Sequence, residues 1–233
     1  DPSKDNMLKI TNDGKMCALD MRLVDPTVED NPDSKVNMAV NNIFNKWEET
    51  KDDSLTQVVF LDRSTPSKGF NLYDDIKEKL IALGIPEEEI KFIHDAKNDK
   101  EKVKLFEDVN EGRVRILIGS TEKMGAGTNI QKKLCALHHI DVPWRPSDIE
   151  QREGRILRQG NDCKEVEIFR YATEGTFDSY SWQTIEYKQK FISQVMTNKP
   201  LGRSIDDVDE AALNYAEIKS LATGDPRIKR QLE

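Results

Sequence analysis

Beyond residue 34, apolar and polar positions alternate between two rhythms. Ser34 is placed to cap a helix running to Trp47, with Val36, Val40, Ile43, Phe44 and Trp47 on one stripe. Gln57-Val58-Val59-Phe60-Leu61 is then a short apolar run, as expected of a parallel strand buried on both faces. A helix over Tyr73–Leu83, ended by Gly84, leads to a second strand at Ile90–Ile93. A charged helix over Lys100–Val109 leads to a third strand at Val114–Gly119. A fourth strand at Ala136–Asp141, a helix over Asp148–Arg158 and a fifth strand at Val166–Tyr171 complete the series. Strands alternating with helices of this length predict an α/β fold: a doubly wound parallel sheet flanked by helices.

The ends of the chain break this rhythm. Residues 1–33 are polar and interrupted by Asp25-Pro26 and Asn31-Pro32. They read as an irregular lead-in, with room for a short helix near Cys17–Leu23. After residue 175, Phe177, Tyr180, Ile185, Phe191, Ile192 and Val195 mark a long amphipathic helix, and a second is expected over Val208–Leu221. The expected division is a lead-in (1–33), an α/β unit (34–175) and a helical C-terminal extension (176–233). The chain opens on Asp1 and is expected to be a piece of a longer polypeptide.

Composition narrows the classes. No run approaches the ~18 apolar residues of a membrane span, and the polar opening carries no signal peptide. No membrane association is expected. Cys17, Cys135 and Cys163 are dispersed and odd in number, the usage of reduced thiols in a cytoplasmic protein, with no metal site. His138 and His139 are strand neighbours facing opposite ways, so with His94 they read as structural or surface groups. Net charge is −8, which argues against a basic nucleic-acid footprint. Between Arg113 and Arg158, however, nine basic residues outnumber five acidic ones.

Three segments carry candidate chemistry. The first is Pro143 to Gly160, including Gln151-Arg152-Glu153-Gly154-Arg155-Ile156-Leu157-Arg158. Ser147 and Glu150 have capping-box spacing, and Gly160 is a natural helix terminator. Gln151, Arg155 and Arg158 then share one helical face, opposite Ile149 and Ile156, while Gly154 allows close backbone approach. Two guanidinium groups facing outward over the carboxyl edge of the sheet suit a phosphate arriving from outside. A solvated arginine-rich face is the bland alternative. The second segment, Gly119 to Gln131, opens at the end of the third strand, and Gly125 and Gly127 expose backbone N–H groups there. The third, Asp62-Arg63-Ser64-Thr65-Pro66, follows the first strand.

In order and spacing, V-V-F-L-D-R-S-T (58–65), S-T-x-x-x-G-x-G-x-N-I-Q (120–131) and Q-R-x-G-R-x-x-R (151–158) resemble motifs IV, V and VI of superfamily 2 helicases. Asp141-Val142-Pro143-Trp144-Arg145-Pro146 and Gly175-Thr176-Phe177-Asp178 look closest to the Swi/Snf-like branch. The acidic tail around Asp206–Ala212 looks like that of large helicase–methyltransferase polypeptides of phages and mobile elements. One departure is Arg158-Gln159-Gly160-Asn161, where many Swi/Snf relatives read Arg-Ile-Gly-Gln; it leaves any role of Asn161 open. The resemblance implies a RecA-like C-terminal lobe, with ATP and Mg2+ bound mainly by an N-terminal lobe of the same polypeptide. It implies DNA as the track and a linked methyltransferase domain as a candidate partner. By position it implies Arg155 and Arg158 as arginine fingers aided by Gln151. Gly127 and Asn129 would lie near the ribose, and Ser64, Thr65 and Thr121 on nucleic-acid phosphates.

The chain has no G-x-x-x-x-G-K-[S/T] and no Asp-Glu-x-His or Asp-Glu-Ala-Asp box, so alone it is not expected to hydrolyse ATP. A rival reading is a non-catalytic DNA- or protein-binding module of a restriction or methylation complex. A second is an unrelated nucleotide-binding enzyme, for which Asp62–Gly69 is a poor phosphate loop. Trp144 is expected to pack the strand-to-helix turn. Tyr180, Trp182, Tyr187 and Phe191 are expected as core and brace contacts.

Overall fold

The computed structural model describes residues 7–124 and 129–196. Five strands, β1 (Thr56–Phe60), β2 (Ile90–Phe92), β3 (Ile116–Gly119), β4 (Leu134–His139) and β5 (Glu167–Arg170), form one sheet in the order β2-β3-β1-β4-β5. Every pair is parallel, with Val58 opposite Leu117 on one side and Leu137 on the other. All residues of β1, β3 and β4 are buried. That is why apolar residues dominate these strands, the buried Gln57, His138 and His139 being paired through hydrogen bonds or ion pairs.

Helices cover both faces. Val59, Ile116 and Ile118 pack with Val36, Ile43 and Trp47 of α2 (Lys35–Glu49) and with Leu72, Ile76 and Leu80 of α3 (Leu72–Ala82). Alternate strand positions, Val58, Phe60, Leu117 and Leu137, pack on the other face. Their partners there are Leu105 and Val109 of α4 (Asp99–Asn110) and Ile156 of α5 (Pro146–Ile156). Period-two alternation thus divides the apolar side chains between two cores, each helix contributing one stripe. The caps are local: Ser34 Oγ, Asn71 Oδ1 and Asn98 Oδ1 accept from the backbone N–H groups of Asn37, Asp74 and Glu101. Gly84, at φ +107°, takes the left-handed conformation that turns the chain out of α3.

The structure corrects three expectations about the elements. Within the lead-in, α1 (Met7–Leu19) is a helix of 13 residues. It docks on α6 (Phe177–Met196), where the Phe177 ring fills the space a side chain at Gly14 would need. Thr173 Oγ1 donates to Ala18 O at 3.0 Å, fixing the end of α1. Second, α5 begins at Pro146 with Arg145 as N-cap, so Ser147 and Glu150 form no capping box. Proline at the first helical position has its φ pre-set and no N–H to leave unpaired, which moves the start forward. Third, α5 ends at Ile156, leaving Arg158 beyond the helix. Asn161 Nδ2 donates to Ile156 O at 3.0 Å and to Leu134 O at 2.8 Å, capping the helix and tying it to β4. The expected helix at Val208–Leu221 lies outside the described residues. Among the described residues no helix is long and apolar enough to cross a membrane.

Candidate functional site

The chain leaves β1 toward β2 on one side of the sheet and leaves neighbouring β4 toward β5 on the other. The carboxyl ends of β1 and β4 therefore flank the topological switch point, where open α/β sheets bind ligands. Asp62 follows β1 there, Asp141 follows β4, and Thr121 follows β3. Arg152 of α5 joins all three and is 0% exposed. Its Nη2 donates to Asp62 Oδ2 at 2.6 Å and to Asp141 Oδ1 at 3.4 Å. Its Nε donates to Thr121 Oγ1 at 2.7 Å, and the guanidinium lies over the Phe60 ring. Asp62 in turn accepts from Thr121 N and Oγ1, while Asp141 Oδ2 accepts from the backbone N–H groups of Asp62 and Arg63. Burial pushes the Asp141 carboxyl up, and Arg152 pulls against that shift.

The two buried histidines serve different faces. His139 Nδ1 lies 3.1 Å from Arg152 Nη1, and a guanidinium only donates, so Nδ1 is the acceptor. The proton then sits on Nε2, 3.2 Å from Glu153 Oε1. Burial holds this imidazole below its ordinary range. On the opposite face His138 lies between Tyr171 Oη (2.9 Å) and Gln57 Oε1 (3.0 Å) and stacks on Phe169. Complete burial pushes it down to about 3.

The residues singled out from the sequence fall into two groups. Thr65 and Gln151 line a cleft of about 750 Å³ at the carboxyl edge, with Asp62, Thr121, Arg145 and Asp148. Ser64, at φ +56°, instead accepts from Leu72 N at the start of α3. The second group lies at the far end of α5. Arg158 is exposed, and its Nη1 donates to Asn129 Oδ1 at 2.7 Å. Asn129 O accepts from Asn110 Nδ2. Arg155 is 6% exposed, and burial followed by the charge of Arg158 lowers its pKa. Gly127 lies outside the described residues.

Arg155 and Arg158 therefore do not stand together on one exposed face over the carboxyl edge, as their spacing predicts. The physical reason is the early end of α5. By Asn161 the chain already touches the first residue of β4, so Arg158 sits toward the amino edge. Gly154 meets nothing within 4 Å among the described residues, so it marks no close approach inside this chain.

Residues 43–160 match the family described as Helicase conserved C-terminal domain. The chain belongs to this helicase C-terminal family. Over 93 residues the domain is 34% identical to "Defense against restriction protein B" of Escherichia phage P1, a match covering 40% of this chain and 4% of that protein. Over 92 residues it is 33% identical to "Uncharacterized ATP-dependent helicase YqhH" of Bacillus subtilis (strain 168), covering 39% of this chain and 16% of that protein. The matched stretch is thus a small part of either relative. Its fold resembles the crystal structure of the C-terminal part of Fun30 ATPase domain, with a TM-score of 0.54 and 17% identity over 90% of this chain and 58% of that one.

In this helicase C-terminal domain the sequence reading missed Arg152, Asp62, Asp141 and His139 as one unit. A signal was present: Asp62 directly after one predicted strand, Asp141 as the last residue of another, and Arg152 one residue from Gln151. Trp144 also departs from its expected packing role. It is 66% exposed, because Pro143 and Pro146, not the indole, are the buried residues of that turn.

Proposed function

We propose that the chain is the C-terminal lobe of an ATP-dependent DNA helicase or translocase. In this reading it presents Arg155 and Arg158 to ATP held with Mg2+ on an N-terminal lobe of the same polypeptide. ATP dependence is carried over from the description of the Bacillus subtilis relative. The phage P1 relative is named for defence against restriction, a process acting on DNA, which favours DNA as the track.

The observation that carries the reading is the Arg155–Arg158–Asn129 group. Arg155 is buried, and burial followed by the charge of Arg158 lowers its pKa. Asn129 holds Arg158 in place through one nitrogen. A buried guanidinium and a tethered, exposed one near the end of α5 suit an anionic triphosphate. Magnesium-bound ATP supplies the phosphoryl group for transfer to water. The part of Arg158 is to meet developing negative charge on the phosphate oxygens with a planar donor fork. Arg155 adds fixed charge from a desolvated position, where it acts more strongly than in water. Asn129 orients Arg158, and the ribose is assigned to Gly127 by its position in the sequence motif alone. Gln151 lies in the carboxyl-edge cleft with Thr65 and Thr121, and so falls to the nucleic-acid side. Ser64 shapes the neighbouring loop through its bond to Leu72 N. Arg152 joins the two sides through α5.

The test is Arg155→Ala and Arg158→Ala in the full-length polypeptide. Nucleic acid-stimulated ATP hydrolysis is expected to fall by about 10³-fold or more, with folding and nucleic-acid binding retained. Unaltered hydrolysis in both variants would refute the assignment and favour a non-catalytic binding module.

A further inference from the structure

The turn after β4 carries Trp144 into solvent, and two lysines lie over its ring. Lys15 Nζ, from α1, is 4.9 Å from the ring centroid, and Lys188 Nζ, from α6, is 4.4 Å away. A third cation, Arg63 of the loop after β1, is held beside α1 by its Nη1 bond to Asn12 Oδ1 at 2.9 Å. Segments distant in sequence thus bring two lysines to one indole, with Arg63 held against the helix that carries Lys15. Burial, followed by repulsion from Arg63 and Lys188, pushes the Lys15 ammonium below its ordinary value. The negative face of an indole holds ammonium groups together that would otherwise separate. In a chain of net charge −8, general basicity does not account for this crowding.

We propose that Lys15 and Lys188, gathered over Trp144, together with Arg63 held against α1, form a site for the backbone phosphates of nucleic acid. This site rests on the function proposed above and extends it from the strand-edge loops to the N- and C-terminal helices. It is continuous with the carboxyl-edge cleft. Trp144 directly precedes Arg145, and Arg63 stands two residues before Thr65, both of which line that cleft. A strand leaving the cleft in this direction meets the three cations next. Contacts of this kind fix position on the nucleic acid without reading its sequence. With ammonium groups already over its ring, Trp144 is a positioning residue for the lysines and not a platform for bases.

Salt dependence provides the test. Each phosphate that the protein ceases to neutralise lowers the slope of log K against log salt by roughly 0.7 on single strands and 0.9 on duplexes. Binding of a labelled mixed-sequence oligonucleotide to the full-length polypeptide is measured by fluorescence anisotropy across a range of salt concentrations. Lys15→Gln combined with Lys188→Gln is expected to reduce the slope magnitude by about 1.4 to 1.8. Lys15→Arg with Lys188→Arg, which keeps both charges, is expected to retain it. Trp144→Ala is expected to reduce the slope as the lysines spread apart. Unchanged thermal unfolding midpoints show that the variants remain folded. An unchanged slope in the glutamine double variant, with binding otherwise intact, overturns the site and leaves the proposed function standing. Weaker binding by Trp144→Ala at an unchanged slope, confined to single strands, overturns the positioning role in favour of base stacking. Failure of the unsubstituted polypeptide to bind nucleic acid overturns both this site and the function on which it rests.

Discussion

Arg152, Arg155 and Arg158 recur every three residues, yet each occupies a different environment. Arg152 is fully buried between Asp62 and Asp141; Arg155 is buried beside another cation; Arg158 is exposed and tethered to Asn129. The sequence singles out the last two, because helical spacing places them on one face with Gln151. Helical spacing alone does not mark the burial of Arg152, since its partners Asp62 and Asp141 lie 90 and 11 residues upstream, at the ends of strands. Arg152→Ala leaves the buried Asp141 carboxylate without its cation and is expected to destabilise the chain by about 3–5 kcal/mol, read as a shift in urea unfolding. His138 makes a second prediction. Its folded value is near 3, against an ordinary 6.5. The unfolded chain therefore takes up the proton first as pH falls. Stability supported by neutral His138 is complete above pH 6.5 and is lost progressively down to about 3. His138→Gln is expected to flatten that acid limb in unfolding midpoints measured against pH. His139 titrates in the same direction, so part of the slope remains.

The elements differ in how openly the sequence announces them. All five strands lie within two residues of the runs that predict them; β1, β3 and β4 are buried throughout, as central parallel strands are, whereas β5 at the edge carries exposed Glu167 and Arg170 at its ends. α1 was not legible: its order comes from Phe177 and Thr173, more than 150 residues downstream, and not from a stripe of its own. The bounds of α5 were misread because two local signals competed. Ser147 and Gly160 look like terminators, but Pro146 and the Asn161 side chain set the ends. Gly154 offers an element-scale prediction. It is an exposed residue in the interior of α5 with open space beside it. Gly154→Ala is therefore expected to stabilise the isolated chain by about 0.5–1 kcal/mol, measured by chemical unfolding. A loss of stability would mean that the helix backbone is not free to accept a methyl group there.

Across the whole molecule, α5 spans the domain from the carboxyl edge toward the amino edge of the sheet. At its start, Arg145, Asp148 and Gln151 line the cleft proposed for nucleic acid. Beyond its end, Arg158 meets Asn129. Between them Arg152 bolts the helix to the loops after β1, β3 and β4. A rigid element contacting both sides can carry motion from one to the other, because a shift at either end moves the whole helix. In a motor of two lobes, closure over ATP would in this way be felt at the track. The most direct measurement is the turnover of full-length Arg158→Ala at saturating ATP and nucleic acid, with KM for ATP determined alongside. The predicted result is a kcat reduced by about 10³-fold or more, KM changed far less, because the proposed role of Arg158 is to meet charge that develops during transfer. A kcat within about twofold of the unsubstituted polypeptide, or a defect confined to KM, would contradict the account.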